Sequence, residues 1–159
     1  MKRRVVLSGY CFATSAIIIA LLCGISVYVA KQPDHIVPLI LLCVIIIGLV
    51  VATLIYMPLT VSEDGSNLCI RRPLRSKRIP VSEISSVKLC QPTVAEKRIC
   101  GSGGFFGWYG WFSEKDLGKY FAYYGKASDC FLVTLKSGKK YMLGCEDAPE
   151  MVKRINELL

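Results

Sequence analysis

Two long apolar runs open the chain, and after them the hydrophobic pattern changes period. Val5 to Ala30 carries no charged residue, and neither does Ile36 to Tyr56. As helices they would measure about 39 Å and about 31 Å, against a hydrocarbon core of roughly 30 Å, which predicts membrane spans over residues 5–30 and 36–56 with the first one tilted. Lys31-Gln32-Pro33-Asp34-His35 is the loop between them, with Asp34 placed to cap the second helix and Pro38 in its first turn. The first run is too long for a cleavable leader, and Tyr28 occupies the position two before the candidate cleavage residue Ala30, where a small side chain is needed. Small residues recur four apart at Ala16, Ala20 and Gly24, and again at Gly48 and Ala52. Such faces are expected to let the two helices of the hairpin approach closely. Neither run holds an ionisable residue, which argues against an ion path or a proton relay.

From Met57-Pro58 onward short alternating runs replace the long ones. Strands are expected at residues 59–62, 67–71, 76–79, 84–89, 119–124, 129–136 and 140–144. Asp64-Gly65 and Ser137-Gly138 mark hairpin turns. The end switches to helical spacing, with Met151, Val152, Ile155, Leu158 and Leu159 along one face. Asp147 stands where a cap would, with Pro149 in the first turn and Glu150 three residues on. About seven strands and one amphipathic helix predict a mainly-β domain over residues 57–159, a bent sandwich or open barrel closed by the helix. That length makes one core, not two.

Charge fixes the orientation. Residues 57–159 hold 16 Lys/Arg against 11 Asp/Glu, and the first 56 hold four against one. Lys2, Arg3 and Arg4 flank the first span, and Arg71, Arg72, Arg75, Lys77 and Arg78 follow the second, whereas the short loop has one Lys balanced by Asp34. The positive-inside rule puts both termini and the domain in the cytoplasm, integral to the cell (inner) membrane. The eight cysteines include no C-x-x-C pair, and the only histidine is His35 in the loop. No zinc spacing or complete disulfide framework follows, and reduced, mostly buried thiols are expected. Nothing in the pattern asks for a metal, a cofactor or nucleic acid.

The strand order, the run Gly101-Ser102-Gly103-Gly104-Phe105-Phe106-Gly107-Trp108-Tyr109-Gly110-Trp111-Phe112, the strand at Lys119 to Tyr124 and the Ser-Gly-Lys-Lys-Tyr hairpin resemble the bacterial pleckstrin-homology-like (PH-like) domain family. The resemblance covers roughly residues 57–158. It implies a two-span anchor followed by a PH-like fold, and a binding role more than an activity.

Two segments are candidate sites. In the first, five glycines interleave with five aromatics, and Phe105, Phe106, Trp108, Tyr109 and Trp111 are the candidate partner surface. The alternative is that Phe105, Trp108, Trp111 and Phe112 plug the domain's own core, with glycines allowing close approach. The second is the basic cluster Arg71, Arg72, Arg75, Lys77 and Arg78, a candidate contact for anionic lipid headgroups or simply a topology signal. Phosphoinositide-binding PH domains carry their cations on the first two strands. Here Glu63 and Asp64 occupy that region, so that motif does not carry over. Cys69 to Arg75 has the C-x5-R spacing of cysteine phosphatases, but its residues are bulky, include Pro73 and lead into a strand pattern, so it reads as coincidence. The expected function is a non-enzymatic, membrane-anchored binding module for a protein or peptide, aided by anionic lipid. The alternative is an accessory subunit of a larger membrane complex with the hairpin as interface.

Overall fold

The computed structural model describes residues 1–93 and 95–159. Strand β1 (Lys2–Arg4) precedes helices α1 (Gly9–Ala30) and α2 (Ile36–Tyr56). Nine strands follow: β2 (Thr60–Glu63), β3 (Asn67–Arg71), β4 (Ser76–Pro80), β5 (Ile84–Leu89), β6 (Lys97–Gly104), β7 (Gly107–Glu114), β8 (Gly118–Tyr124), β9 (Cys130–Leu135) and β10 (Lys140–Gly144). Helix α3 (Ala148–Asn156) ends the fold.

Both N-terminal helices are long and apolar enough to cross a membrane. The expected span from Val5 is shorter than predicted, because Val5 to Ser8 runs extended and the Ser8 hydroxyl accepts the Cys11 amide as the cap of α1. At 22 residues α1 is about 33 Å long, which removes the excess length that called for tilt. His35, not Asp34, occupies the cap position of α2, and its side chain makes no capping bond. The small residues are also not where the spacing placed them. Thr14, Ile18, Leu22, Ser26 and Val29 of α1 and Leu39, Leu42, Ile46, Ala52, Thr53 and Ile55 of α2 are the half-buried positions, so of the small residues Ala52 alone is among them, whereas Ala16, Ala20, Gly24 and Gly48 are exposed. A four-residue spacing fixes a face but not which neighbour it meets.

The domain is two sheets. One is four-stranded and antiparallel, in the order β1-β2-β3-β4, and the other has the order β5-β9-β10-β8-β7-β6, with only β10 and β8 parallel. Ten strands replace the expected seven, the additions being β1 and the β6–β7 hairpin. Val61, Leu68, Ile70 and Ile79 face Val87, Phe131, Val133 and Leu143 across the two sheets, and Met151, Val152 and Ile155 of α3 close the end. Leu158 and Leu159, expected on that helical face, lie beyond the helix and are exposed. Asp147 makes no side-chain cap. It and Glu150 instead hold the Arg3 guanidinium, so β1 is clamped to the start of α3.

The central strands of the six-stranded sheet are buried on both faces. Phe112, Tyr120, Tyr124, Leu132 and Met142 form a second cluster on its reverse side. On its inner side, the part made by β7 and β8 extends past the four-stranded sheet and is covered by the domain-side ends of α1 and α2. Tyr56 stacks on Tyr109 at 6.3 Å between ring centroids, and the Thr53 and Tyr109 hydroxyls lie 3.3 Å apart.

The β6–β7 hairpin depends on facing glycines. Gly101 and Gly110 are cross-strand partners with φ of 130° and 126°, and a Cβ on Gly110 would lie 2.3 Å from the Cys100 carbonyl oxygen. Gly118 has φ 70° but open space around it. Gly110→Ala is therefore expected to cost about 3 kcal/mol or more, from overpacking plus backbone strain, and Gly118→Ala only about 1 kcal/mol. Thermal melts of the detergent-solubilised full chain check this; equal losses would show that the close approach is not a constraint.

Candidate functional site

The sheet register brings together cations that are far apart in sequence. Arg4 pairs with Thr60, Thr60 with Arg71, and Arg71 with Ser76. One row over, Lys2, Ser62, Cys69 and Arg78 stand side by side. Both rows lie on the face opposite Val61, Leu68, Ile70 and Ile79, so Lys2, Arg4, Arg71 and Arg78 share the outer face of the four-stranded sheet. Among the described residues none of these four forms an ion pair, and neither does Arg75 in the turn between β3 and β4. The Leu74 amide of that turn donates to the Leu54 carbonyl of α2 at 3.1 Å, which places the turn against the end of the second apolar helix.

The other two members of the basic cluster turn inward. The Arg72 guanidinium lies 5.5 Å from the Tyr123 ring centroid and donates to its hydroxyl at 3.2 Å, and the Lys77 ammonium is 5.2 Å from the Tyr141 ring. These are cation–π contacts with core tyrosines. The sequence pattern had grouped Arg71 to Arg78 and set Lys2 and Arg4 apart as flanking charge. Only strand pairing could show that Lys2 and Arg4 join the face and that Arg72 and Lys77 leave it.

The glycine-aromatic segment is a long hairpin, and its aromatics divide between core and surface. Tyr109 and Phe112 are buried. Trp108 is sandwiched between Tyr10 of α1, at 6.3 Å, and Tyr124, at 5.6 Å. Phe105 and Phe106 form the two-residue tip, which α1 holds directly. The Phe106 amide donates to the Ser15 hydroxyl at 2.9 Å, and the Thr14 hydroxyl donates to the Gly104 carbonyl at 3.1 Å. Phe106 has φ 52°, a left-handed conformation unfavourable for a bulky residue, so this tip is held by its helix contact as well as by its turn. Trp111 is 45% exposed and rests edge-on against Phe121.

Two carboxylates far apart in sequence, Glu96 and Glu114, meet on the reverse side of the large sheet. The Tyr120 hydroxyl contacts both Glu96 and Glu114, and Tyr124 donates to Glu96 at 2.9 Å. Thr93 donates its amide to Glu114 at 2.9 Å. Burial raises the Glu96 pKa above the ordinary carboxyl range, and the neighbouring Glu114 adds to it, against the two tyrosine hydrogen bonds. One phenol proton cannot serve two carboxylates at once, so a proton on Glu96 completes the set. Among the described residues no three His, Cys, Asp or Glu side chains gather as a metal site.

The C-x5-R segment is strand, turn and strand, not a loop opening a helix. Burial pushes the Cys69 thiol up, opposite to what a nucleophilic thiolate needs. All eight cysteines are free.

Two sheets closed by a C-terminal helix, preceded by two helices long and apolar enough to cross a membrane, define a PH-like domain. Residues 59–159 match the sequence model of the bacterial PH domain, and the chain belongs to that family. No curated protein matches the chain, and no solved structure does.

The Glu96 proton gives stability a pH dependence. A carboxyl whose pKa is higher folded than unfolded contributes most below its unfolded value of about 4.3, and that contribution is lost as pH rises through the folded value. Glu96→Gln keeps a donor toward Tyr120 at every pH. Its Tm relative to wild type is expected to rise from pH 4 to pH 8 in parallel melts, and a constant difference would assign the cluster no shared proton.

Proposed function

We propose that the chain is a membrane-anchored binding module. Its hairpin spans the cell membrane, its termini and PH-like domain lie on the cytoplasmic side, and the domain recognises a protein or peptide while anionic lipid sets its orientation. The observation that carries the lipid part is the outer sheet face bearing Lys2, Arg4, Arg71 and Arg78, next to a turn that touches the end of α2. Near an anionic surface each such cation contributes roughly 1 kcal/mol, screened over a Debye length near 8 Å. Four together are enough to orient a domain already tethered, and the effect is sensitive to salt. The module class follows from the family, and the protein-binding surface is read from the exposed edge strand β6 with Ile99 and Trp111 beside it.

In nanodiscs of phosphatidylcholine with phosphatidylglycerol, hydrogen exchange of residues 67–80 in the full chain is expected to slow at low salt. High salt, pure phosphatidylcholine or the double change Arg71→Glu, Arg78→Glu should each remove that protection. Identical exchange in all conditions would sink the lipid-facing role of this sheet.

The exposed Ala16-Ala20-Gly24 stripe favours a second reading, in which the hairpin itself is the interface of a larger membrane complex. A photo-crosslinking side chain placed in turn at Ile99 and at Gly24 separates the two. Protein adducts from Ile99 support the domain as the binding surface; adducts from Gly24 alone support the hairpin.

A further inference from the structure

Between the helices and the β6–β7 hairpin lies a cavity of about 660 Å³. Ile18 of α1 and Leu49 and Ala52 of α2 line one wall, all on the apolar helices. The opposite wall combines backbone at Gly101, Gly103 and Gly110 with the side chains of Tyr109, Trp111 and Phe121. Gly101 and Gly110 face each other across the two strands, where a Cβ on either would strike the partner strand's backbone. A Cβ on Gly103 would already crowd the Arg98 guanidinium at 3.1 Å, so the arginine lies along the bare strand.

Charge and placement determine what fits. Arg98 is the one cation among the lining residues and no carboxylate accompanies it. Among the described residues its guanidinium has no ion pair and no hydrogen bond. From Tyr56 to Leu49 the lining continues about 10 Å along α2, toward the middle of the helix. Leu49 and Trp111 both remain exposed, so the cavity communicates with the surroundings of the helices. An occupant must therefore carry an anion at one end and an apolar tail at the other, and must arrive from beside the helices. A peptide would bring backbone donors and acceptors to a helix wall that has no free partners for them.

We propose that this cavity binds one anionic phospholipid, its phosphate on Arg98 and the upper part of one acyl chain between Ile18 and Leu49. The volume lies within the range of small-molecule sites and takes part of one lipid, the rest remaining in the bilayer. The inference rests on the reading that α1 and α2 span the membrane. It does not depend on the basic sheet face, which attracts headgroups collectively rather than holding one molecule.

The protein's two tryptophans, Trp108 and Trp111, provide the readout. Full chain in a neutral detergent is titrated with phosphatidylglycerol or phosphatidylcholine carrying brominated acyl chains, which quench nearby indoles. Quenching by the anionic lipid is expected to saturate near one lipid per chain, with apparent affinity at least about tenfold above the zwitterionic one. Arg98→Gln should reduce the anionic lipid to the level of phosphatidylcholine. Ala52→Phe should weaken both by filling the cavity. Equal quenching by the two lipids in the wild type, or a phosphatidylglycerol preference that survives Arg98→Gln, overturns the proposal. Displacement of the lipid by millimolar inorganic phosphate also overturns it, because it would assign the site to a free anion.

Discussion

The arrangement of anchor and domain depends on backbone meeting backbone at a few glycines. Val6 passes so close to Gly125 that a Cβ there would lie 2.3 Å from the Val6 carbonyl oxygen. The Ser8 amide donates to the Gly125 carbonyl at 2.9 Å, and the Cys11 thiol reaches the same oxygen at 3.4 Å. At Gly104 the first turns of α1 also come close, there through side chains, since a Cβ would lie 2.8 Å from the Tyr10 ring. Contacts of this kind have one geometry. Unlike exposed side-chain pairs, they cannot slide by a rotamer, so the domain is held at a defined place on the helices instead of swinging from residue 57.

This fixed seat gives the charged face its meaning. A domain on a loose tether samples all orientations, and scattered cations then average out. Here β1 is part of the sheet and, four residues later, the chain starts α1, so Lys2 and Arg4 are positioned by the same strand that leads into the anchor. Arg3, alternating to the inner side, closes on Asp147 and Glu150 of α3. One tripeptide thus supplies both outward charge and an inward clamp, as the two-residue period of a strand requires.

Much of this fold was legible from periodicity. The two apolar helices stand where charge-free runs of spanning length predicted them, and seven strands and α3 follow the alternation and the helical spacing of their apolar residues. Where legibility failed, the signal was physically absent. Three consecutive cations have no hydrophobic alternation, so β1 looked like a flank. In β6 and β7 glycine replaces the side chains that would have alternated, and the strands were hidden in what resembled a loop. The expected caps at Asp34 and Asp147 failed for different reasons. The loop turn carries Asp34 one residue too early, whereas Arg3, far off in sequence, draws Asp147 away. The candidate site fared worse than the fold, because strand register and helix azimuth decide which cations share a face, and neither is written in local composition.

The glycines that hid the hairpin also account for what the hairpin does. A β-strand of ordinary residues beside α1 would need side chains to fill the gap, holding helix and sheet roughly 10 Å apart, as in any packed layer. With Gly104 the helix reaches the strand itself, and the tip carrying Phe105 and Phe106 is fastened to Ser15. A few residues back along the same strands, Gly101, Gly103 and Gly110 line the cavity whose other wall includes Leu49 and Ala52 of α2. The same hairpin therefore meets α1 closely at its tip and borders a cavity further back. Arg98, exposed at the rim of that space and without an ion-pair partner among the described residues, is a cation that an anion coming from outside the chain can pair with.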